Sequence, residues 1–462
     1  MIAPARRAAF AALVEIARGR ADLDDALDRA RQSLGDARDV GLLRELVTGT
    51  LRWQSRLDWR LAPLSRVAMT KLDVEVLVAL RMAAYQLEHL DRVPASAVVH
   101  DAVALVRAAK KSSAAGLVNA VLRALTRAGH AEPPVAPADA TREEIAAALA
   151  VSTAHPAWLI ERWLARETRE VVDAWLAFDN EPPPTTLRVN PLAGASRDDV
   201  AARLAADGIV TSPAAAAPLG LVVREGLVVG HATLASGLCG IQDEGSQLAA
   251  LVAPVGPGAR VLDVCAAPGG KTLAYAWAAG ADGHVVACDV RERRLDVLRE
   301  TLRRGHAARA EVVAIDEHAP LPFAPVFDVV AVDAPCSGLG TLRRDPDIKW
   351  RRTPEDLRRF QARQVDLLTR ASAVVAPGGA LVYTTCSTEP EENLDVVSQV
   401  LAASPDFILR RADGGPGGQV LTPFVDADGC LRTHPVRHGL EGYFGAVLVR
   451  RPGGPPPVAV VQ

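Results

Sequence analysis

From residue 241 to about residue 452 the chain repeats one pattern, in which a short apolar run ends in an acidic or small polar residue and a stretch with helical periodicity follows. The runs, with the residues that follow them, are VLDVCAAPGGKT, HVVACDV, AEVVAID, FDVVAVDAPC and ALVYTTCS. Uninterrupted apolar runs between helices are typical of strands buried on both faces of a parallel sheet. The pattern therefore predicts a doubly wound α/β sheet with helices on both sides.

The chain before residue 240 shows three other sequence patterns. Residues 1–130 repeat apolar residues at three- and four-residue spacing with almost no strand pattern, which predicts a compact helical bundle. Residues 129–141 are rich in Pro and Ala without periodicity and predict a linker. Residues 142–240 mix helical stretches with short apolar runs such as TTLRVN, which predicts a small α+β domain. We therefore expect three domains, at 1–130, 142–240 and 241–452.

The formal net charge of −3 on 462 residues would argue against a nucleic-acid partner if the charge were evenly spread. It is not, because residues 1–130 carry 20 basic and 14 acidic side chains, a net charge of +6, whereas the remainder carries 32 and 41, a net charge of −9. A basic module on an acidic body is expected where one domain contacts a polyanion. The alternative is an arginine-rich helix surface that is only solvated.

Simple counts disfavour several classes of protein. No run approaches the roughly 18 apolar residues of a membrane span, and the apolar stretch after Arg7 is interrupted at Glu15, too early for a signal sequence. Six cysteines are scattered without a Cys-x-x-Cys pair, which disfavours a zinc site. A disulfide framework is equally disfavoured in a large chain without a secretion signal. We expect a reduced, cytoplasmic, monomeric protein with no metal and no membrane contact.

The first motif with chemical meaning is DVCAAPGGKT at residues 263–272, directly after the strand Arg260–Leu262. Glycines at such a turn let a ligand approach the backbone closely at the carboxyl edge of the sheet. The turn has neither the GxGxxG spacing nor the GxxxxGK[ST] spacing. An acid after the second strand is the group that binds ribose hydroxyls in nucleoside-binding folds. Successive strand-end acids favour an adenosine-containing cofactor over separate helix caps, and they are Asp263, Asp289, Asp316 and Asp333.

Two cysteines stand just past the ends of predicted strands, Cys336 in DAPCSG and Cys386 in YTTCS. A single buried cysteine is most often an inert apolar residue, but these two open on the same edge as the proposed cofactor site. With Asp333 beside them they suit nucleophilic attack and proton transfer, and Lys271 could favour the thiolate. A chelated metal is the competing use of two thiols, and it is disfavoured because no histidine lies near either.

A basic stretch, LRRDPDIKWRR at residues 342–352, follows Cys336 in the sequence. Residues 341–370 carry nine basic and five acidic side chains, a net charge of +4. Basic side chains interleaved with Trp350 beside a reactive thiol fit a polyanion whose base must be extracted. The alternative is a solvated loop and helix face.

VLDVCAAPGGKT, VDAPCSGLGTLRRDPDIKW and YTTCSTEPEEN, in this order, resemble the motifs of the S-adenosylmethionine-dependent RNA cytosine-C5 methyltransferases. The helical N-terminus resembles the NusB-type RNA-binding domain, and the combination resembles the bacterial RsmB-type family, also called Sun or Fmu. The resemblance covers nearly the whole chain, including HPAWLIERW, TTLRVNP and IQDEGSQLAA. It implies an all-α RNA-binding domain, a small α+β RNA-recognition domain and a Rossmann-like domain that methylates carbon 5 of a cytosine in 16S ribosomal RNA.

The resemblance also implies a role for each motif residue. Cys386 would be the nucleophile that forms a covalent adduct with carbon 6 of the base, Cys336 would assist release, and Asp333 would lie near the methyl-transfer centre. Asp289 would hold the ribose of S-adenosylmethionine and Asp316 would lie near its adenine. The methionine part would be held by the loop after the first strand, which consists of Cys265, Ala266, Ala267, Pro268, Gly269, Gly270 and Lys271.

Three other functions compete with this interpretation. The nearest is the same chemistry on a cytosine of transfer RNA, against which the NusB-like domain speaks. A non-catalytic RNA-binding or antitermination factor would fit the helical bundle alone, but both cysteines are present. An amino-group methyltransferase would carry an Asn/Asp-Pro-Pro-aromatic loop after the fourth strand, where this chain has DAPC.

Overall fold

The structure, a computed structural model, describes residues 2–453. The chain divides into two compact units, of which the first consists of Met1–Glu181 and Leu342–Arg352 and the second of Pro182–Thr341 and Thr353–Gln462. The short segment Leu342–Arg352 therefore belongs to a different unit from the sequence on either side of it. The three domain boundaries drawn from the sequence stay a prediction.

The first unit is helical, as the apolar spacing predicted. Buried residues of its first seven helices form one core, in which Val118, Val121, Leu122 and Leu125 supply a stripe at three- and four-residue spacing. Each such side chain, once buried, stabilises the bundle by about 1.5–3 kcal/mol. The helices are α1 Pro4–Ala17, α2 Leu23–Arg31, α3 Ala37–Arg52, α4 Gln54–Leu61, α5 Val74–His89, α6 Ala95–Ala108, α7 Ala115–Ala128, α8 Arg142–Ser152, α9 Ala157–Leu164 and α10 Arg169–Asn180.

The basic segment Leu342–Arg352 is part of this helical unit and contains a one-turn helix, Ile348–Arg351, which is α16 in chain order. Trp350 packs against the helical core, and its Nε1 donates a hydrogen bond of 2.6 Å to the carbonyl of Leu51. Lys349 is buried, and its Nζ donates to Asn180 Oδ1 at 2.9 Å. Lys349 and Trp350 are thus engaged inside the helical unit, and the prediction that this basic stretch contacts RNA stays a prediction.

The second unit begins with a small α+β layer. Its four-stranded antiparallel sheet has the order β2-β3-β1-β4, and α11 packs on it through Val200 and Leu204 against Leu187 and Leu221. This confirms the small mixed domain that the sequence predicted. The elements are β1 Thr186–Val189, α11 Arg197–Ala206, β2 Val210–Pro213, β3 Gly220–Glu225, α12 Ala232–Ala235 and β4 Cys239–Ile241.

The larger sheet of the second unit has eight strands, seven of them in the order β10-β12-β9-β8-β5-β6-β7, with β11 paired to β12. The elements are α13 Glu244–Leu251, β5 Arg260–Asp263, α14 Gly270–Ala279, β6 His284–Asp289, α15 Glu292–Arg304, β7 Glu311–Ala314, β8 Phe327–Asp333, α17 Pro354–Ser372, β9 Val375–Thr385, α18 Leu394–Ala403, β10 Phe407–Arg410, α19 Gly418–Leu421, β11 Leu431–Arg432, α20 Pro435–His438 and β12 Phe444–Arg450.

Strands β5 to β9 are parallel, which confirms the predicted doubly wound core, and β10, β11 and β12 add an antiparallel edge. Strand β5 lies at the centre, because the chain continues to β6 and β7 on one side and returns as β8 and β9 on the other. The loops after β5 and β8 therefore face each other at a topological switch point, where open α/β sheets bind their ligands. Within residues 2–453, no helix combines the length and the apolarity needed to cross a membrane.

Candidate active site

The loop Cys265–Lys271 joins β5 to α14 at this switch point. Gly269 has a φ of +107°, a conformation that L side chains rarely adopt. A Cβ at this position would also lie 3.0 Å from Cδ1 of Leu298. Because the backbone angle favours glycine and a side chain would be crowded, the loop presents bare main chain at the edge of the sheet.

Two arginines outside the loop hold its carbonyl groups. Nη1 of Arg188, in β1, donates to the carbonyl of Gly270 at 2.7 Å, and Nη2 of Arg294, in α15, donates to the carbonyl of Ala267 at 2.7 Å. The sequence analysis missed both residues. Arg188 stands in the quoted TTLRVN run, but the contact with a loop 82 positions away depends on the fold.

The strand-end carboxylates differ in their surroundings. Asp289 is buried and accepts hydrogen bonds from the backbone N–H of Val290 at 2.9 Å and of Ala267 at 3.3 Å, so it ties the end of β6 to the glycine loop. Asp316 lies two residues beyond β7 and is exposed, and a hydrogen bond from the backbone N–H of His318 lowers the pKa of its carboxyl group. Asp289 is therefore built into the loop, whereas Asp316 is exposed beyond the end of its strand.

Asp263, at the end of β5, is fully buried, and Thr272 Oγ1 donates to its Oδ2 at 2.7 Å. Burial raises the pKa of Asp263 to about 7. A carboxyl group so enclosed and already hydrogen-bonded to α14 fixes the start of the helix, which is a positioning task.

Asp333, at the end of β8, forms an ion pair with Lys271 of the glycine loop, with Nζ to Oδ2 at 2.6 Å. Thr384 Oγ1 donates to the other carboxylate oxygen at 2.8 Å. Burial alone would lower the pKa of Lys271, but the charge of Asp333 and its hydrogen bond outweigh burial, so the pKa is raised. Lys271 therefore stays charged at neutral pH, and the pair joins the loops after β5 and β8.

The two motif cysteines meet beside this pair. Sγ of Cys336, three residues past β8, lies 3.2 Å from Sγ of Cys386, which directly follows β9. The hydrogen bond to Cys386, followed by burial, raises the pKa of Cys336 well above its ordinary value. Cys336 therefore stays a thiol at neutral pH and can donate its proton toward the Cys386 sulfur. Two other cysteines behave as inert buried residues, because burial raises the pKa of Cys288 and of Cys430 to about 12.

A buried carboxylate that the sequence analysis did not single out holds both cysteine loops. Glu392 accepts hydrogen bonds from the backbone N–H of Ser337 at 2.7 Å and from Ser387 Oγ at 2.6 Å, and these serines directly follow Cys336 and Cys386. Gln364 donates to the same carboxylate at 3.1 Å. Glu392 belongs to the quoted YTTCSTEPEEN run, but an acid that follows another acid normally predicts an exposed turn. Its position shows that it fixes the two loops relative to each other.

The structure thus brings Lys271, Asp333, Cys336 and Cys386 into one cluster at the switch point, with the glycine loop forming its wall. Such a cluster can hold a nucleoside-type cofactor on bare main chain, add a sulfur nucleophile to an electrophilic carbon and move a proton nearby. Within the described residues, no group of three or more His, Cys, Asp or Glu side chains is arranged to hold a metal ion.

This fold and this cluster define the class of Rossmann-like methyltransferases. The 16S rRNA methyltransferase RsmB/F family model matches residues 249–449, the NusB family model matches residues 3–127, and the model of the RsmF/B-like ferredoxin-like domain matches residues 155–230.

Curated relatives match along most of the chain. The ribosomal RNA small subunit methyltransferase B of Pseudomonas putida is 37% identical over 407 residues, which are 87% of this chain and 89% of that protein. The probable ribosomal RNA small subunit methyltransferase B of Bacillus subtilis is 32% identical over the same shares of both chains. The chain therefore belongs to the 16S rRNA methyltransferase RsmB/F family, as its motifs led us to expect.

Solved structures agree on the fold. The protein PH0851 has a TM-score of 0.81 and 25% identity, covering 97% of this chain and 99% of its own. NSun6 from Pyrococcus horikoshii, solved with SFG, has a TM-score of 0.54 and 19% identity, covering 63% of this chain and 97% of its own. At that identity the second comparison supports the fold alone.

Proposed function

We propose that the protein transfers a methyl group from S-adenosylmethionine to carbon 5 of a cytosine in 16S ribosomal RNA, through a covalent adduct between Cys386 and carbon 6. The observation that carries the proposal is the distance of 3.2 Å between the sulfurs of Cys336 and Cys386 at the switch point, beside the ion pair of Asp333 and Lys271. The curated relatives, which are named as methyltransferases of the ribosomal RNA small subunit, support the substrate class.

The residues present fit S-adenosylmethionine, which when bound supplies a methyl group on a positively charged sulfur. The loop Cys265–Lys271 presents bare main chain at the switch point, so it suits the methionine part of the cofactor. The buried Asp289 at the end of β6 suits the ribose hydroxyls, and the exposed Asp316 beyond β7 suits the adenine.

The chain's own chemistry starts from Cys386. Carbon 5 of cytosine is a poor nucleophile, and addition of a thiolate to carbon 6 makes it enamine-like, so one difficult step becomes two easier ones. A bond forms between Sγ of Cys386 and carbon 6 while negative charge develops on the ring. Cys336, held as a thiol next to that sulfur, can donate a hydrogen bond to it before attack.

Asp333 and Lys271 stabilise the adduct as it forms. As the adduct forms, N3 of the ring takes a proton from solvent and donates it in a hydrogen bond to Asp333, and Lys271, charged through its ion pair, keeps positive charge at the point where negative charge develops. After carbon 5 has been methylated, a water positioned by Cys336, which itself stays a thiol, takes the proton from carbon 5 and passes it to solvent. The bond between carbon 6 and Cys386 then breaks and the nucleophile is released.

Substitution of the two cysteines tests the proposal because they have separate tasks. Cys386→Ser removes the nucleophile and should abolish methylation, whereas Cys336→Ser should leave the adduct intact and trap a covalent protein–RNA complex, seen as a slow band on a denaturing gel. Cys430→Ala, a buried cysteine outside the cluster, is the control and should leave methylation unchanged. Full methylation by Cys386→Ser, or no adduct with either serine variant, would sink the assignment.

A comparison of RNA substrates distinguishes this proposal from methylation of transfer RNA. A cytosine inside a duplex cannot reach the thiol pair, so the target should lie in a loop or bulge or be flipped out. We expect methylation of 16S ribosomal RNA and not of bulk transfer RNA, and mapping of 5-methylcytosine in both RNAs measures this directly. In this proposal the basic helical domain, residues 1–130, supplies RNA affinity, and residues 142–240 contribute RNA recognition.

A further inference from the structure

Arg188 is a buried arginine with no acidic partner. Only 7% of the residue is exposed, and within residues 2–453 its side chain makes one hydrogen bond, from Nη1 to the carbonyl of Gly270 at 2.7 Å. Within the same residues no acidic side chain shifts the pKa of its guanidinium, on which burial alone acts. That single bond uses one of the five N–H donors of a guanidinium group, so four donors remain without a protein acceptor.

Arg188 lines a cavity of about 170 Å³ between β1, β4 and the glycine loop. The lining holds a second arginine, Arg304 at the end of α15, and it contains no acidic residue. Asn190 closes one wall, because its Nδ2 donates to the carbonyls of Gly237 and Gly305 at 2.9 and 2.8 Å. The cavity therefore has two positive charges and no negative one.

A buried charge without a partner is costly, and buried arginines are normally paired with carboxylates or phosphates. Burial lowers the pKa of Arg188 to about 10, with no opposing effect from an acid, so the group stays charged at neutral pH. The hydrogen bond to Gly270 does not require a guanidinium, since one N–H donor would be enough. The remaining donors and the uncompensated charge point to an anion from outside the chain.

We propose that this cavity binds a phosphate group of the RNA backbone, with Arg188 as the principal ligand and Arg304 as the second positive charge. The planar fork of an arginine matches two oxygens of a phosphodiester. The inference rests on the proposed function, because it takes the phosphate to come from the RNA substrate. A bound phosphate would also set the RNA against the loop whose Gly270 carbonyl Arg188 holds, and so would link RNA binding to the cofactor site.

The salt dependence of RNA binding tests this inference. Each phosphate neutralised adds about 0.7–0.9 to the slope of log K against log salt. Arg304→Gln and Arg188→Gln should each reduce the slope for 16S RNA by up to about that amount, and the cofactor affinity of Arg304→Gln should be unchanged. Arg303→Gln is the matched control, because Arg303 is exposed on the same helix, pairs with Glu300 and does not line the cavity.

The outcomes separate the possibilities. If wild-type protein shows no salt-dependent RNA binding, the proposed function fails. If it does, but Arg304→Gln and Arg303→Gln give equal slopes, the phosphate site is overturned. Should Arg188→Gln fail to fold, Arg304→Gln decides. Inorganic phosphate tests whether the cavity binds free phosphate instead. If phosphate raises the melting temperature, Arg304→Gln abolishes that rise and the salt slopes for RNA are unchanged, the cavity is a site for free phosphate and the RNA assignment is overturned.

Discussion

Two largely buried lysines, one in each unit, have pKa values that are shifted in opposite directions. Lys271, with 11% of its side chain exposed, has Asp333 at 2.6 Å, and its pKa is raised. Lys349, with 1% exposed, donates to neutral oxygens, those of Asn180 at 2.9 Å and of the Ala154 carbonyl at 3.3 Å. Burial lowers the pKa of Lys349 to about 7. The same residue type is thus a stable cation in one place and a titrating group in the other.

The difference between the two lysines shows how burial shifts the pKa of an ammonium group and how a nearby carboxylate offsets that shift. Loss of water disfavours the ammonium form at both sites, and only a carboxylate within hydrogen-bond distance outweighs that loss. Lys271 can therefore serve chemistry that needs a positive charge at neutral pH. Lys349 instead joins the inserted segment to the helical unit, through three acceptors that include the carbonyl of Arg52 at 3.5 Å.

Removal of the carboxylate should have the largest effect. Asp333→Asn leaves Lys271 buried without a counter-charge, so its pKa should fall below the ordinary lysine value, as at Lys349. Methylation should fall by about 10²- to 10⁴-fold, because both the proton at the ring and the fixed positive charge are lost. The chain has only five lysines, so ¹³C labelling of lysine gives a simple NMR titration that follows Lys271 directly.

Asp328→Asn is the matched control for this variant. Asp328 lies in the same strand as Asp333, is half-exposed and pairs with Arg260 away from the cluster. It should change neither methylation nor the titration of Lys271. An unchanged Lys271 titration in Asp333→Asn would show that the ion pair does not set its charge, and would remove the contrast between the two lysines.

The surroundings of Lys271 could be predicted from the sequence, whereas those of Lys349 could not, for a physical reason. Lys271 lies in a loop that the local pattern places at a sheet edge, and Asp333 ends another strand of the same parallel sheet, so topology brings them together. Lys349 lies among arginines in DPDIKWRR, which locally predicts exposure. Its burial depends on Asn180 and Arg52, 169 and 297 positions away, and no local pattern encodes such contacts.

The same distinction holds in the candidate site. The glycine loop and Cys336 and Cys386 could be predicted, because each stands at the end of a strand whose direction the sequence fixes. Glu392 could not, because its task is to receive hydrogen bonds from two loops that meet only after folding. The antiparallel strand β12 was missed for a related reason, since its pairing with β9 joins positions about sixty residues apart in sequence.

The titration of Lys349 should make the stability of the folded protein depend on pH. The pKa of Lys349 is about 7 in the folded protein and 10.5 as its ordinary value. Between these values the unfolded chain binds more protons, so the free energy of unfolding should rise with pH, by an amount on the order of a few kcal/mol. Lys349→Met should flatten this rise, measured by denaturant unfolding at several pH values.

Other titratable groups near Lys349 also affect the pH dependence of stability, and a control variant is needed. Asp179, whose pKa burial raises to about 7, contributes an opposite slope at lower pH, and burial lowers the pKa of His155 so far that it stays neutral. The charge of Arg52 adds to burial in lowering the pKa of Lys349. Lys71→Met removes an exposed lysine of the same unit and should keep the wild-type slope. Equal slopes for Lys349→Met and wild type would contradict a titrating Lys349.

The smallest effect should come from giving Lys349 the carboxylate that Lys271 already has. Asn180→Asp replaces the neutral oxygen 2.9 Å from Nζ with a charged one and should raise the pKa of Lys349 by about 1–3. Part of the gain is lost, because Asn180 Nδ2 also donates to the Thr153 carbonyl at 2.7 Å and a carboxylate cannot. Asn180→Ala removes the oxygen without adding charge and should not raise the pKa. If the NMR titration of Lys349 is the same in both variants, burial alone governs this lysine and a nearby carboxylate is not what distinguishes it from Lys271.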